Sequence, residues 1–106
     1  MNCSSRFPVL EIIKSATFDA WLLGLKDRKA RAKVQARITR LSFGNPGDVK
    51  PVGGGLSEMR IDFGPGYRVY YLKRGRLVIV LLCGGDKSSQ AADIRRAHVI
   101  AKDWKD

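Results

Sequence analysis

The sequence predicts an α+β domain in which an antiparallel β-sheet is packed by two N-terminal helices and one C-terminal helix. The chain has 106 residues, the length of one domain, so residues 1–106 are expected to share a single core. Two stretches before residue 42 repeat apolar residues at helical spacing, and three later stretches between glycine turns have the composition of strands. With a strand at the start and an amphipathic stretch at the end, the predicted order is β-α-α-β-β-β-α.

The first part of the chain predicts one strand and two helices. Residues 7–14 are rich in β-branched side chains, which is typical of a strand. Ser15 or Thr17 can cap a first helix, and Asp27 can cap a second that runs to about Leu41. The expected apolar positions are Phe18, Trp21, Leu22 and Leu25 on the first helix and Ala30, Val34, Ile38 and Leu41 on the second.

The middle of the chain predicts an irregular segment followed by three strands. Residues 44–55 contain two breaker clusters, and the glycine run at 53–55 has no Lys-Ser/Thr behind it, so we expect a loop rather than a P-loop. Strands are predicted over residues 56–63, 67–73 and 76–83, with tight glycine turns between them.

The last part of the chain predicts a helix that packs on the sheet. The run Gly84-Gly85-Asp86 is expected to end the third of these strands, and Ser88 or Ser89 to cap the helix. The apolar stripe of this helix consists of Ala91, Ile94, Ala97, Ala101 and Trp104.

The charge balance predicts an anionic partner. Twenty Lys and Arg residues against ten Asp and Glu give a formal net charge of +10 and a pI near 10.1. So much positive charge on a small body opposes folding, which points to nucleic acid, an acidic protein surface or an anionic membrane as its partner. A membrane role is not expected, because the longest apolar run, at 77–83, is far shorter than the roughly 20 residues of a spanning helix.

Cofactor and metal sites are not expected. Cys3 and Cys83 are too isolated to form a metal cage, and a buried, reduced Cys83 is the simplest interpretation. The single histidine, His98, is expected to be a packing or surface residue. Since no secretory signal is visible at the N-terminus, a cytoplasmic, cofactor-free domain is predicted.

The second predicted helix carries an unusual concentration of cations. With one nearby acid, Asp27, this surface is either a solvated helix face or a contact surface for phosphate or an acidic protein segment. The cations are Lys26, Arg28, Lys29, Arg31, Lys33, Arg37 and Arg40.

A second group of charges lies on the predicted strands. Alternation places Glu58 and Arg60 on one face of their strand, and Arg68 follows a tight turn toward the same region. Lys87 follows the apolar strand, so the three cations are expected to converge where a phosphate can bind. Among the tyrosines, Tyr67 can stack on a base, whereas Tyr70 and Tyr71 must point to opposite faces of the sheet.

At these residues the chain resembles a known family. The segments at 58–71, containing Gly66-Tyr67-Arg68, and at 81–90, containing Gly84-Gly85-Asp86-Lys87, resemble the RelE/ParE toxin superfamily. They are similar in particular to its HigB-like branch of addiction-module killer proteins, and the segments at 18–27 and 44–48 share that similarity. The resemblance implies a RelE-like domain and a toxin of a bacterial type II toxin–antitoxin system. The toxin would be neutralised by a cognate antitoxin, commonly a helix-turn-helix protein.

The resemblance also implies an activity and a site. RelE-like members enter the ribosome and cleave mRNA in the A site, which makes the ribosome and mRNA the expected partners. By motif, Arg68 matches the arginine of Gly-Tyr-Arg, Arg60 a basic position on the preceding strand, and Lys87 the basic residue after the central-strand glycines. The chain departs from RelE at Glu58, where a second lysine is usual, and at Asp93, near a usual tyrosine. The basic helix and Tyr67 are the expected contacts to RNA and the ribosome.

A mechanism without a metal ion follows as a hypothesis. The 2′-hydroxyl attacks the adjacent phosphate in line, Arg60 and Arg68 stabilise the charge on the phosphate oxygens, and Lys87 contacts the phosphate or protonates the leaving oxygen. Glu58 is either the general base or only the ion-pair partner of Arg60. Weaker candidates for a role in catalysis are Gln90, Asp93 and His98.

Two other functions remain open at this point. The chain is alternatively a ParE-like inhibitor of DNA gyrase that cuts no RNA, or a decayed toxin that only binds its partner. Expression separates these: a ribosome-dependent nuclease stops translation first, a gyrase inhibitor stops replication with DNA damage, and a decayed toxin leaves growth intact. In each case an acidic antitoxin segment could cover the basic helix or add to a sheet edge.

Overall fold

A computed structural model describes residues 9–104 and has the predicted α+β architecture, with a five-stranded sheet between helices. Cys3 and the start of the predicted first strand lie outside the described residues. The elements are β1 (Glu11–Lys14), α1 (Ala16–Gly24), α2 (Arg28–Ser42), β2 (Val49–Pro51), β3 (Leu56–Ile61), β4 (Tyr67–Arg74), β5 (Val78–Asp86), a single 3-10 turn (Lys87–Ser89) and α3 (Gln90–Ala101).

The sheet has the order β1-β5-β4-β3-β2 and differs from the prediction in two respects. Strand β1 pairs with β5 in parallel, whereas all other pairs are antiparallel, so the sheet is mixed at one edge. The second difference is β2, which forms where only a loop was expected and pairs through Val49 with Met59. A strand that contains Pro51 is compatible with the sheet only at an edge, which is where β2 lies.

The helices cover both faces of the sheet. On one face, α1 and α2 bury Phe18 and Val34 with Met59 and Ile61 of β3. On the other, α3 packs through Ala97 and Ala101. Every predicted apolar position of α2 is buried, while Ala91 of the predicted α3 stripe is exposed. Each half of the core therefore belongs to a separate helix layer.

Side-chain caps begin α1 and α2 as the sequence predicts. The Ser15 hydroxyl accepts a hydrogen bond from the Phe18 amide and donates one to the Leu82 carbonyl of β5. The Asp27 carboxylate accepts hydrogen bonds from the amides of Lys29 and Ala30. At α3 the N-cap position is Ser89, but its side chain makes no capping hydrogen bond.

The predicted strand over residues 76–83 ended too early, because β5 continues through Gly84 and Gly85 and ends at Asp86. Both glycines allow another side chain to approach the backbone closely. A β-carbon at Gly84 would lie 2.3 Å from the Trp21 ring, and one at Gly85 would lie 1.8 Å from an Asp93 carboxylate oxygen. The glycines thus mark close packing of α1 and α3 on the strand, not a turn.

Candidate functional site

The register of the sheet brings the two predicted strand arginines together. Arg60 of β3 lies directly opposite Arg68 of β4, beyond which the Gly64–Gly66 turn closes the hairpin. Gly66 adopts a φ of 81°, and a β-carbon there would lie 3.5 Å from Cβ of Lys87. The turn therefore passes beside the start of the 3-10 turn after β5, and three segments distant in sequence meet at one end of the sheet.

An open cleft of about 290 Å³ lies at this end of the sheet. The predicted cations Arg60, Arg68 and Lys87 all line it. Lys87 is exposed, and the side chains of Arg60 and Arg68 are 33% and 13% accessible. Its other lining residues are Asp48, Asp62 and Gly66.

Glu58 lies beneath the cleft and does not line it. Its side chain has no exposed surface, and its two oxygens contact different partners. The guanidinium Nε of Arg60 donates to Oε1 over 3.1 Å, and Nε of Arg68 lies 4.0 Å from the same oxygen. Oε2 accepts hydrogen bonds from the Tyr70 hydroxyl over 3.0 Å and from Gln90 Nε2 over 2.7 Å.

These contacts keep the Glu58 carboxylate charged. Burial raises its pKa, but the hydrogen bonds from Gln90, Arg60 and Tyr70 and the charge of Arg68 outweigh that effect, so the pKa is lower than the ordinary value. Burial and the neighbouring carboxylate together raise the pKa of Tyr70, which therefore stays a neutral donor. The site contains a buried anion that retains its charge.

Arg68 is bound less completely than Arg60. Its Nε is buried and has no hydrogen-bond partner among the described residues, although the Glu58 carboxylate is near. Directly opposed residues on one face of an antiparallel pair have Cβ atoms about 5 Å apart, so the two guanidinium groups repel each other. The cleft therefore presents three cations together with the carboxylates of Asp48 and Asp62, and its guanidinium groups can bind a phosphate.

Two cations of the basic helix are used within the fold, contrary to a purely surface role. The Arg37 guanidinium donates to the Arg60 carbonyl over 2.5 Å and to the Pro46 carbonyl over 3.0 Å. Arg31 donates to the Leu25 carbonyl. Arg37 thus fastens α2 to the segment before β2 and to β3 just behind the cleft. Since both terminal nitrogens of this guanidinium already donate to backbone carbonyls, it is less available to RNA than the sequence suggested.

The other cations of this group are exposed, on the helix layer that covers the sheet face opposite α3. Lys33 Nζ lies 5.7 Å from the centre of the Phe63 ring, near the hairpin turn. The exposed members of the group are Lys26, Arg28, Lys29, Lys33 and Arg40.

The remaining candidates lie at the edges of the site or outside it. Tyr67 is half-buried on the α1 side and packs edge-on against Trp21, with ring centres 6.2 Å apart. Asp93 is buried and accepts hydrogen bonds from Ser89 and Arg96. His98 contacts the Val52 carbonyl at 3.2 Å, far along α3 from the cleft.

Sequence reasoning missed how Tyr70 and Gln90 join the site through Glu58. Both signals were present: Tyr70 is the partner of Glu58 in the strand register, and Gln90 is the first residue of α3. The positions of Tyr70 and Gln90 in the sequence do not reveal that the Glu58 carboxylate between them is fully buried. Tyr70 and Tyr71 do point to opposite faces, as alternation predicted.

Other surface features of residues 9–104 offer less convergent chemistry. Open grooves of about 520 and 570 Å³ lie beside β1 and between α1 and α3, but neither gathers three cations among the described side chains. Within this part of the chain, no three His, Cys, Asp or Glu residues are grouped so that they could hold a metal ion. None of its helices has the length and apolar character needed to cross a membrane.

Comparison with known proteins gives two findings. A family model described as "Phage derived protein Gp49-like (DUF891)" matches residues 20–105, a range that includes every residue lining the cleft. An uncharacterized protein of Haemophilus influenzae is 50% identical over 94 residues, which are 89% of this chain and 95% of the relative.

Proposed function

The chain belongs to the phage-derived Gp49-like family, and we propose that it is a toxin that cleaves mRNA on the ribosome. The family is similar to the RelE toxins, and its members are commonly toxins of toxin–antitoxin systems. The observation that carries the nuclease part of this proposal is the cleft, in which Arg60, Arg68 and Lys87 line one open space. Within the superfamily we place the chain in the HigB-like branch, on the similarity of its hairpin and of the segment that follows β5.

The cleft supports metal-independent phosphodiester cleavage. In this mechanism the substrate 2′-oxygen forms a bond to the adjacent phosphorus, the bond to the 5′-oxygen breaks, and a 2′,3′-cyclic phosphate and a 5′-hydroxyl result. Arg60 and Arg68 stabilise the negative charge that grows on the phosphate oxygens. Lys87 is exposed at the rim of the cleft and donates a proton to the leaving 5′-oxygen, while the 2′-hydroxyl proton passes to solvent.

The exposed cations of α2 support a second contact. They lie on the helix layer that covers the sheet face opposite α3, so they can bind ribosomal RNA while the cleft holds mRNA. Dependence on the ribosome would place the action of the toxin in the cytoplasm. The same surface suits an acidic segment of a cognate antitoxin, of the helix-turn-helix type, and that interface should weaken as salt concentration rises.

The test is Arg68→Ala compared with Lys73→Ala, an exposed cation near the other end of the same strand. We expect the wild type and Lys73→Ala to arrest growth and to generate new mRNA 5′ ends within coding regions. Arg68→Ala should lower the rate of cleavage by about 10²–10³-fold, the usual effect of losing one charge-stabilising donor. Circular dichroism and antitoxin co-purification would show that the variant is folded.

Other outcomes would overturn the proposal in identifiable ways. Replication arrest with DNA damage, and no new mRNA ends, would indicate a gyrase inhibitor. Normal growth on expression of the wild type would indicate a protein that only binds its partner. Cleavage unaffected by Arg68→Ala would remove the proposed site while leaving the toxin assignment in place.

A further inference from the structure

The arrangement of charge around Glu58 is the feature that carries an inference beyond cleavage itself. Arg60 and Arg68 face each other across β3 and β4, and like charges in that position destabilise a sheet. Glu58 is two residues before Arg60 on the same strand and on the same face, so its carboxylate reaches both guanidinium groups at their base. The pair is tolerated because a buried anion lies next to it.

We infer that Glu58 is a positioning residue: it is the internal counterion that holds Arg60 and Arg68 side by side and directs their free ends into the cleft. The role in catalysis rests on the proposed function, whereas the role as counterion rests on the structure alone. Glu58 acts through the two arginines and does not touch the substrate.

The position of the carboxylate argues against the general-base alternative. A general base must come within hydrogen-bonding distance of the proton it removes. Glu58 has no exposed surface and lies below the cleft, and both of its oxygens already have donors or cations beside them. A substrate hydroxyl would have to displace an arginine or a buried neutral donor to reach it.

The two neutral donors explain how the carboxylate itself is fixed. Tyr70 is fully buried on β4, and Gln90 is the first residue of α3, so Oε2 is held from a strand and from a helix. Oε1 is left to the arginines. One carboxylate therefore connects β3, β4 and α3 at the base of the cleft. Its Oε2 is bound by the two neutral donors, and its Oε1 faces the two arginines.

The donors that line the cleft also indicate the ligand. A single carboxylate offsets only one of the two guanidinium groups, and Nε of Arg68 remains without a hydrogen-bond partner among the described residues. Lys87 adds a third cation to the cleft, which Asp48 and Asp62 also line. A phosphate in the cleft can accept hydrogen bonds from the free ends of Arg60 and Arg68 and from Lys87.

The experiment is a double-mutant cycle with Glu58→Gln and Arg60→Gln, measured by urea unfolding. Removing one member of a buried ion pair is strongly destabilising, so we expect Glu58→Gln alone to raise the unfolding equilibrium constant by about 100-fold or more. In the Arg60→Gln background the like-charge pair is gone. There, Glu58→Gln should raise the unfolding equilibrium constant by less than about a tenth of the factor seen in the wild type. Glu11→Gln is the matched control, because Glu11 is an exposed glutamate on β1. It should leave the unfolding equilibrium constant nearly unchanged.

Cleavage in the same four proteins separates positioning from general-base catalysis. A positioning role predicts that Glu58→Gln lowers the cleavage rate strongly in the wild type but little once Arg60 has been replaced. A general base predicts an equal loss in both backgrounds, typically about 10²–10⁴-fold, and that result would overturn the inference. Additive effects on unfolding would overturn the counterion role.

Two further outcomes are distinguishable. If the wild type cleaves no RNA, the proposed function fails, while the unfolding cycle still tests the counterion. If Glu58→Gln does not fold, Arg60→Gln alone provides the test, since it removes one of the two guanidinium groups beside Oε1 and keeps the carboxylate. The carboxyl titration of Glu58, followed by NMR, should then shift to higher pH, and an unshifted titration would contradict the inference.

Discussion

Replacing Gly85 with alanine should strongly destabilise the protein, because the added methyl group meets a buried, hydrogen-bonded carboxylate. The new β-carbon would lie 1.8 Å from Oδ2 and 2.7 Å from Cγ of Asp93, and 3.0 Å from the Ser89 hydroxyl. Asp93 is buried, with its two oxygens hydrogen-bonded to Ser89 and Arg96, so it cannot move aside without losing them.

The magnitude follows from these two contributions. Adding a methyl group to a packed interior costs about 1–3 kcal/mol. Leaving a buried polar group without its hydrogen bonds costs about another 1–3 kcal/mol. The sum is about 2–6 kcal/mol, which lowers the melting temperature of a domain of this size by roughly 10 °C or more.

Urea unfolding followed by circular dichroism measures this loss as a lower midpoint at unchanged m value. Gly24→Ala is the control, because among the described residues no atom outside the adjoining backbone of α1 lies within 4 Å of a β-carbon there, and α1 ends at this residue. That variant should be as stable as the wild type or slightly more so.

The Asp93→Ala background tests the cause. If the clash with the carboxylate is responsible, Gly85→Ala should cost less than about 1 kcal/mol when Asp93 has already been shortened. The reasoning is refuted if Gly85→Ala behaves like Gly24→Ala, or if its cost is the same in both backgrounds.

Two further predictions concern ionisable groups. The pKa of Glu58 lies below its ordinary value of 4.5, so the unfolded chain binds the proton first and stability falls as pH decreases from about 5. Midpoints of urea unfolding between about pH 5 and 3 should therefore depend less on pH in Glu58→Gln than in the wild type or Glu11→Gln, and parallel curves would contradict the shift. Burial raises the pKa of the Cys83 thiol to about 11. In a Cys3→Ser protein, Ellman's reagent at pH 8 should thus modify Cys83 only as urea unfolds the chain, and rapid labelling in native buffer would show the thiol to be accessible.

The sequence was sufficient where local patterns decide the structure. The buried positions of α2 follow from a 3.6-residue period, and the caps at Ser15 and Asp27 follow from side chains that accept hydrogen bonds from free amides. Alternation also placed Tyr70 and Tyr71 on opposite faces. None of these features depends on a partner distant in the chain.

Features set by distant residues were not predictable in this way. Strand β2 is short and lies between breakers, and it exists because β3 offers an edge. Gly84 and Gly85 have the composition of a turn, but Trp21 and Asp93 require them within a strand. Similarly, Arg37 has the spacing of a surface residue on α2, yet its guanidinium donates hydrogen bonds to the backbone carbonyls of Arg60 and Pro46.

The candidate site shows the same division. Motif and alternation indicated that Arg60, Arg68 and Lys87 belong to one region, and the three do line one cleft. The depth of Glu58 was not predictable, because the same charge on a sheet face is solvated in one fold and enclosed in another. Enclosure here depends on Gln90 at the start of α3.

The parallel pairing of β1 with β5 has a consequence for how the molecule is made. Ile12 is paired with Ile79, so the first described strand has no neighbour in the sheet until most of the chain has been synthesised. Contacts of such long sequence separation slow folding, because a large loop must close before they form. A nascent chain therefore stays without a finished sheet until β5 has emerged from the ribosome, and the cleft forms only once Lys87 and Gln90 have followed it.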